Sequence, residues 1–588
     1  MPLVHCFVAV LSALAVVAAR TVVEKAQLPA LAYPLWAHKH WVWLHNDLGN
    51  QENVTNLVKD YEAHNIKVGA VNIDSTWETG FNNFAIDTTK FSDIKALIDD
   101  MHSQDIKVIF WITSMVNVEN DEDYQFALKN DFLLKNKEGV VRPIEWWHGK
   151  GALLDYTNPD AVSWWHAKMD LLLNLGSDGW KVDGVDPYVL EYALAGGATG
   201  HDGQVVSYRA YADMYYGDYF TYSRSRNREA LIMARPVDCG LDQASKLCWG
   251  YAPKHVMTSG WVGDDDATFE GFRGCLRKVI YSAWDGYANF ACDIGGYRGD
   301  SANPGKTLLL RWAQVSAFLP LMENGGTGEH RPFMFDEETT AIYRKFVDEH
   351  YRLLPYLANV GSAALEGATS SLKPLAQRGT PAAGNYSEPR TFAYSLGADV
   401  FVHPIAFDFA ESGGRAGQMS MVRVDFPGDA AVVWADYWEP TDQTKWVAGG
   451  SGGVRREYSL ASLPVFVRRG ALMPLQSRAD ESVVFQWVLP APGGEARLEY
   501  REPLESGSGA VVRALLSVDM KMVLSVSGRS GRYALEVVGV GAPASVDVDC
   551  GSPLPRCAHS YDSRSQTLRV ECSDALDGVV VTAEGATV

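Results

Sequence analysis

The chain lacks any long apolar run after its first twenty residues, which argues against a membrane-embedded core. It lacks CxxC pairs and clustered Cys/His spacing, so nothing in it reads as a zinc site. It has no basic stripe, and its net charge of −20 opposes binding to nucleic-acid phosphate. No Gly-rich phosphate loop follows the first strand pattern, and no fixed-period repeat is present. Cysteine is scarce, at eight in 588 residues.

What remains is the composition of a soluble folded protein, 47% apolar and 21% charged. Its length implies several domains. Residues 6–19 are apolar but too short to span a bilayer, and Val17-Ala18-Ala19 offers small residues for cleavage before Arg20. Residues 1–19 therefore read as a secretory signal peptide, with a secreted or lysosome-like destination and no membrane span after cleavage. In that setting cysteines can oxidise. Cys239 with Cys248, and two among Cys550, Cys557 and Cys572, are close enough in sequence to pair. Asn53 and Asn385 begin glycosylation triplets.

From residue 30 to 365, short apolar strands alternate with helical patterns. KVGAVNID (67–74), KVIFWIT (107–113) and WKVD (180–183) are strands; residues 51–65, 91–105 and 158–179 are the helical stretches between them. About eight such repeats predict an α/β fold, a (β/α)8 TIM barrel. Residues 366–475 and 476–588 alternate apolar and polar positions between Gly and Pro, which predicts two all-β domains of sandwich type.

Active sites of such barrels lie at the C-terminal strand ends. That rule gathers Asp74, Trp111, Asp183, Arg235, Asp264 and Asp293 into one pocket. Asp183 closes GWKV, and Asp264 follows VMTSGWVG. A carboxylate at a buried strand end is held rigidly beside a cleft. Two of them are the minimal equipment for breaking a glycosidic bond. A solvated turn is the plainer reading of the Asp264–Asp266 run taken alone.

In these motifs the chain resembles glycoside hydrolase family 31, the retaining α-glycosidases. The resemblance is carried, in order, by VNIDSTWETGFNNFAIDTTKF (71–91), WKVDGVDP (180–187), SGWVGDDDATFEG (259–271), DIGGY (293–297), RWAQVSAFLPLMENGG (311–326) and LPVFVRRGALMPL (463–475). It implies Asp183 as nucleophile and Asp264 as general acid/base, acting by double displacement without metal or organic cofactor. Asp74 would bind sugar hydroxyls, Arg235 would bridge substrate and carboxylate, Trp261 would stack near the leaving group, and Asp293 would close the pocket floor. A mutual ion pair of Arg235 with Asp293, and a core role for Trp261, are the plainer alternatives. Lys181 would stabilise the Asp183 anion, and crowding by Asp265 and Asp266 would raise the pKa of Asp264.

Three departures bear on the substrate. Lys181 stands where family α-glucosidases carry Trp, which resembles the branch with α-xylosidases, sulfoquinovosidases and α-galactosidases. With the DSTWET segment, it favours an α-galactoside over a glucoside. Gly325 stands where a substrate-binding His is expected, and His330 is the candidate replacement. The barrel pattern begins close to the signal segment, without the family's N-terminal β-domain. An α-glucosidase, α-xylosidase or transglycosylase of the same family, or an inactive sugar-binding relative, is the competing reading.

Overall fold

The computed structural model describes residues 31–588 other than 46–47, 184–196, 239–248, 301–303, 377–390, 409–418, 503–508, 530, 550–556, 576–578, 586 and 588. The expected signal segment, the Cys239–Cys248 pair, Cys550 and Asn385 lie outside the described residues.

Eight parallel strands form the first domain: His40–Leu44 (β1), Ala70–Ile73 (β2), Lys107–Ile112 (β3), Gly179–Val182 (β4), Leu231–Ala234 (β5), Ser259–Gly260 (β6), Asp293–Ile294 (β7) and Met322–Asn324 (β8). Their hydrogen-bonded order is β6-β5-β4-β3-β2-β1-β8-β7. The ring closes between its two ends. Val262 N donates to Ala291 O at 2.9 Å, and Ala291 N donates to Gly260 O at 2.8 Å. The barrel predicted from the repeat pattern is therefore present and shut. Strands such as AVNI, GWKV and LIMA are buried at every position, because side chains fill the interior and helices cover the outside.

The covering helices are Gln51–Ala63 (α1), Ile94–Ser103 (α2), Pro159–Leu173 (α3), Tyr208–Arg226 (α4), Phe269–Asp285 (α5), Lys306–Ser316 (α6) and Glu337–Glu366 (α7). Most begin at a side-chain cap. Asn158 accepts from Asp160 N and Ala161 N, Thr268 from Gly271 N, and Asp336 from Thr339 N. Between β3 and α3 the chain adds a helix, Asp121–Lys129, and a small antiparallel sheet of Met115–Asn117, Gly149–Leu153 and Ile144–Trp146.

Beyond α7, a six-stranded and a two-stranded sheet span residues 372–468. The buried guanidinium of Arg311 on α6 ties the barrel to this domain, donating to Ser462 O at 2.8 Å and Ser459 O at 3.2 Å. Two five-stranded sheets follow and enclose their own core, including Phe485, Trp487, Leu524, Leu535 and Val581. The first distal strand, Leu472–Gln476, pairs with Val483–Val488. The sheets thus divide between Arg468 and Leu472, ahead of the composition boundary at 475/476, because the turn at Arg469-Gly470 separates two strands of equal apolar character.

Candidate active site

Asp74, Asp183 and Arg235 are the residues that follow β2, β4 and β5 directly; Trp111 lies in β3, and Asp293 begins β7. Asp264 stands four residues past the end of β6. The strand-end rule thus sets all six on one rim of the barrel.

Arg235 is the hub. Its Nη2 lies 2.9 Å from Asp183 Oδ1 and 3.4 Å from Asp264 Oδ1. Its Nη1 lies 2.6 Å from Asp238 Oδ2. Gly263 makes this possible: its φ is +85°, and a Cβ there would stand 1.9 Å from Asp238 Oδ2. Trp111 Nε1 donates to Asp183 Oδ2 at 3.1 Å, and Tyr215 Oη donates to the Asp183 carbonyl at 2.7 Å. The Arg235 and Trp111 contacts to the carboxylate both come from donors, the environment an anion needs. Arg235 does not pair with Asp293, so the mutual ion pair weighed from the sequence is not formed.

The two carboxylates differ in depth. The Asp183 side chain is 11% exposed and that of Asp264 is 27%. Burial raises the pKa of Asp264; Arg235 opposes that rise, and Asp183 adds to it. Crowding within the Asp264–Asp266 run is not the main cause: burial leads, and neither Asp265 nor Asp266 is among the principal contributors. Asp265 turns inward to Lys278 Nζ at 2.9 Å, and Asp266 turns outward toward Arg298 at 3.6 Å. Lys278, buried on α5, also holds Asp238 at 3.3 Å.

Lys181 sits deeper than the sequence implies. Its Nζ is 3.4 Å from Asp74 Oδ2 and 4.0 Å from Glu323 Oε1, and it lies 4.2 Å over the Trp43 ring and 5.0 Å from the Trp261 ring centroid. Burial works against its charge, but Asp74, Glu323, Asp293 and Asp183 together hold its pKa above the ordinary lysine range. Its direct carboxylate partner is Asp74 rather than Asp183, because β2 and β8 bring their acids closer to its Nζ. Asp293 and Glu323 are buried beside each other. Burial raises Asp293 well above an ordinary aspartate, with Glu323 adding to it. Burial likewise raises Glu323 to about 7. Two buried acids so placed retain a proton between them near neutrality.

Trp261 is fully buried, with Lys181 and Arg235 on its ring at 5.0 and 4.8 Å. It supports the two cations and offers no open face for stacking, which corrects the expected place near a leaving group. His330 is buried behind the DIGG turn; its Nε2 bonds to Gly296 O at 3.0 Å. Its ring fills the space over Gly295 and Gly326, since a Cβ on either would stand within 3.0 Å of it.

Several residues of the site escaped the sequence reading. His148, at the tip of the inserted hairpin, has its pKa lowered to about 4 by burial, with Asp183 and Asp74 opposing. It stacks on Phe81 at 3.8 Å and meets Trp111 edge-on at 5.5 Å. Tyr297 feels Asp74, Asp264 and Asp183. Glu323 was findable: it is an acid within the buried strand β8, one residue before the strand ends. Lys278 carried a fainter signal, a lone cation on the apolar face of α5.

Residues 29–360 match the glycosyl hydrolases family 31 TIM-barrel domain. The chain is similar to an alpha-xylosidase of Emericella nidulans, at 22% identity over 78% of this chain and 55% of that one. It is similar also to the human neutral alpha-glucosidase C, at 25% identity over 75% and 46%. Its fold is shared with the Flavobacterium johnsoniae GH31 dextranase, TM-score 0.77 and 17% identity, covering 95% of this chain and 71% of the other. The chain spans about half the length of the curated relatives it matches.

Proposed function

Because the chain belongs to glycoside hydrolase family 31, we propose that it is a retaining α-glycosidase in which Asp183 is the nucleophile and Asp264 the general acid/base. The observation that carries this is the shared contact with Arg235. The Oδ1 atoms of Asp183 and Asp264 lie no farther apart than the 2.9 and 3.4 Å contacts laid end to end. That limit admits the roughly 5–5.5 Å separation at which retaining enzymes place their two carboxyl groups.

Asp183 attacks the anomeric carbon while Asp264 protonates the departing oxygen. Asp264 then takes a proton from water, which displaces Asp183 and releases the sugar with its α configuration retained. The raised pKa of Asp264 suits the first half of this cycle, where it must hold a proton. Asp74 and Lys181 form an acceptor and a donor for sugar hydroxyls, and Trp111 and Arg235 hold Asp183 in place. The chemistry uses no metal or organic cofactor.

The substrate is an α-glucoside or α-xyloside. This reading is supported by relatives named as alpha-xylosidase and alpha-glucosidase. The α-galactoside suggested by Lys181 and the DSTWET segment has no counterpart among them. Secretion rests on the segment at 6–19 and agrees with two disulfides, Cys275–Cys292 and Cys557–Cys572. Among the described residues, no helix is long and apolar enough to cross a membrane.

Purified protein assayed on aryl α-glucoside, α-xyloside and α-galactoside tests the reading. Release from the glucoside or xyloside is expected. Release from none would point to an inactive sugar-binding relative.

A further inference from the structure

Trp43, on β1, belongs to none of the motifs that marked the site, yet its indole is built into it. Only glycine at 325 admits the ring: a Cβ there would stand 2.4 Å from Cδ2, Cε2 and Nε1. The ring carries Lys181 at 4.2 Å and is stacked on Tyr297, centroids 5.9 Å apart and planes at 22°. Lys181 leads directly to Asp74, and Tyr297 feels Asp74, Asp264 and Asp183. Trp43 is therefore wedged among groups that converge on the two carboxylates.

Trp43 is 3% exposed, and its Nε1 has no hydrogen-bond partner among the described residues. The same holds for Oδ1 of Asn72, paired with Trp43 in the β1–β2 register, and for Nε1 of Trp261. Buried polar atoms are almost always satisfied, and a native exception calls for a ligand, an ion or a water. Here one strand end gathers an unused donor, a second donor in Lys181 and an acceptor in Asp74. A hydroxyl accepts two hydrogen bonds and donates one. One sugar hydroxyl can thus accept from Trp43 and Lys181 while donating to Asp74.

We propose that Trp43 is a substrate-binding residue that reads one hydroxyl of the sugar whose anomeric carbon Asp183 attacks, and that its seat on Gly325 fixes which hydroxyl is read. The ligand class is an uncharged pyranose, since four carboxyl groups, Asp74, Glu323, Asp293 and Asp183, already act on Lys181. The inference rests on the glycosidase reading. A site built to bond a hydroxyl rejects a sugar that lacks it, because its buried groups are then left unpaired.

The test compares wild type with Trp43→Phe, which keeps an aromatic ring and loses the N–H, and with Gly325→Ala, which displaces the ring. On the best aryl glycoside, both variants are expected to raise KM about tenfold or more with a smaller change in kcat. Across monodeoxy versions of that substrate, wild type is expected to discriminate strongly at one position, and Trp43→Phe to lose that discrimination. Trp43→Phe with wild-type KM and an unchanged deoxy profile would overturn the proposal. Titration calorimetry with glucose, xylose and galactose separates this failure from that of the glycosidase reading. Weaker binding by Trp43→Phe supports the proposal even without hydrolysis, whereas equal binding, or no binding by wild type, overturns it. Melting curves confirm that each variant is folded.

Discussion

Arg235 holds Asp183 by two nitrogens on one oxygen, Nη2 at 2.9 Å and Nε at 3.1 Å, both to Oδ1. Oδ2 is left to the Trp111 indole at 3.1 Å. The carboxylate plane is thereby fixed, as an attack on one carbon of a bound sugar requires. The same guanidinium touches Asp238 and Asp264, so its shape matters as much as its charge.

Arg235→Lys keeps the charge but cannot span three carboxylates. Its kcat/KM is expected to fall by about 100-fold or more. Arg235→Met leaves buried acids without their shared partner and is expected to cost about 3–5 kcal/mol of stability. Steady-state kinetics and urea denaturation read the two effects. A fully active Arg235→Lys enzyme would show that the fork geometry is not needed.

The alkaline limb of the rate profile should report Asp264, which must be protonated to assist departure. Burial raises its pKa first of all; Arg235 works against that, Asp183 with it, and Arg298 against it. Arg298 is partly exposed and reaches Asp264 Oδ2 at 3.7 Å. Removing a neighbouring cation favours the protonated acid. Arg298→Met is therefore expected to move the alkaline limb of kcat/KM to higher pH by a fraction of a unit, the small size reflecting solvent screening. A shift to lower pH would contradict the assignment.

Glu323 and Asp265 tie stability to pH with a definite sign. Burial raises Glu323 from 4.5 to about 7, and Asp265 from 3.8 to about 6. Each binds its proton more tightly folded than unfolded. Stability is then lost as pH climbs from the unfolded value through the folded one. Glu323→Gln removes one such group and is expected to flatten the fall in urea midpoint between about pH 4.5 and 7. A steeper fall in the variant would contradict this.

The disulfide between Cys275 on α5 and Cys292 beside β7 closes the segment that joins neighbouring parts of the barrel wall. Its loop of 17 residues corresponds to about 3 kcal/mol in the chain-entropy view. Peptide mapping without reductant is expected to recover Cys275 linked to Cys292 and Cys557 linked to Cys572. Reduction is expected to lower the urea midpoint. Free thiols at all four positions would refute the pairing.

The barrel was legible because its strands are short apolar runs that each end on a polar residue. That single pattern yields both the fold and the six residues of the rim. In MENGG the acid Glu323 stands inside β8, one residue before its end, so the strand-end pattern that marks Asp74 after β2 points to it less directly. Trp43 and His148 were not legible, since an aromatic residue in an apolar strand or a hairpin tip looks like ordinary core. Their place depends on what Gly325 and Phe81 leave room for. The inward turn of Asp265 toward Lys278 was hidden for the same reason, because the partner is supplied by a helix rather than by the motif. The Cys275–Cys292 pair was not legible from spacing, since it depends on α5 and the residue before β7 lying side by side in the barrel wall.

The paired roles of Asp183 and Asp264 are tested most directly by the stereochemistry of the first product. Proton NMR during hydrolysis of a good aryl α-glycoside, in the first minutes before mutarotation, should show the α-anomer of the free sugar appearing first. Initial release of the β-anomer would mean that water, not Asp183, attacks the sugar, and the account would fail.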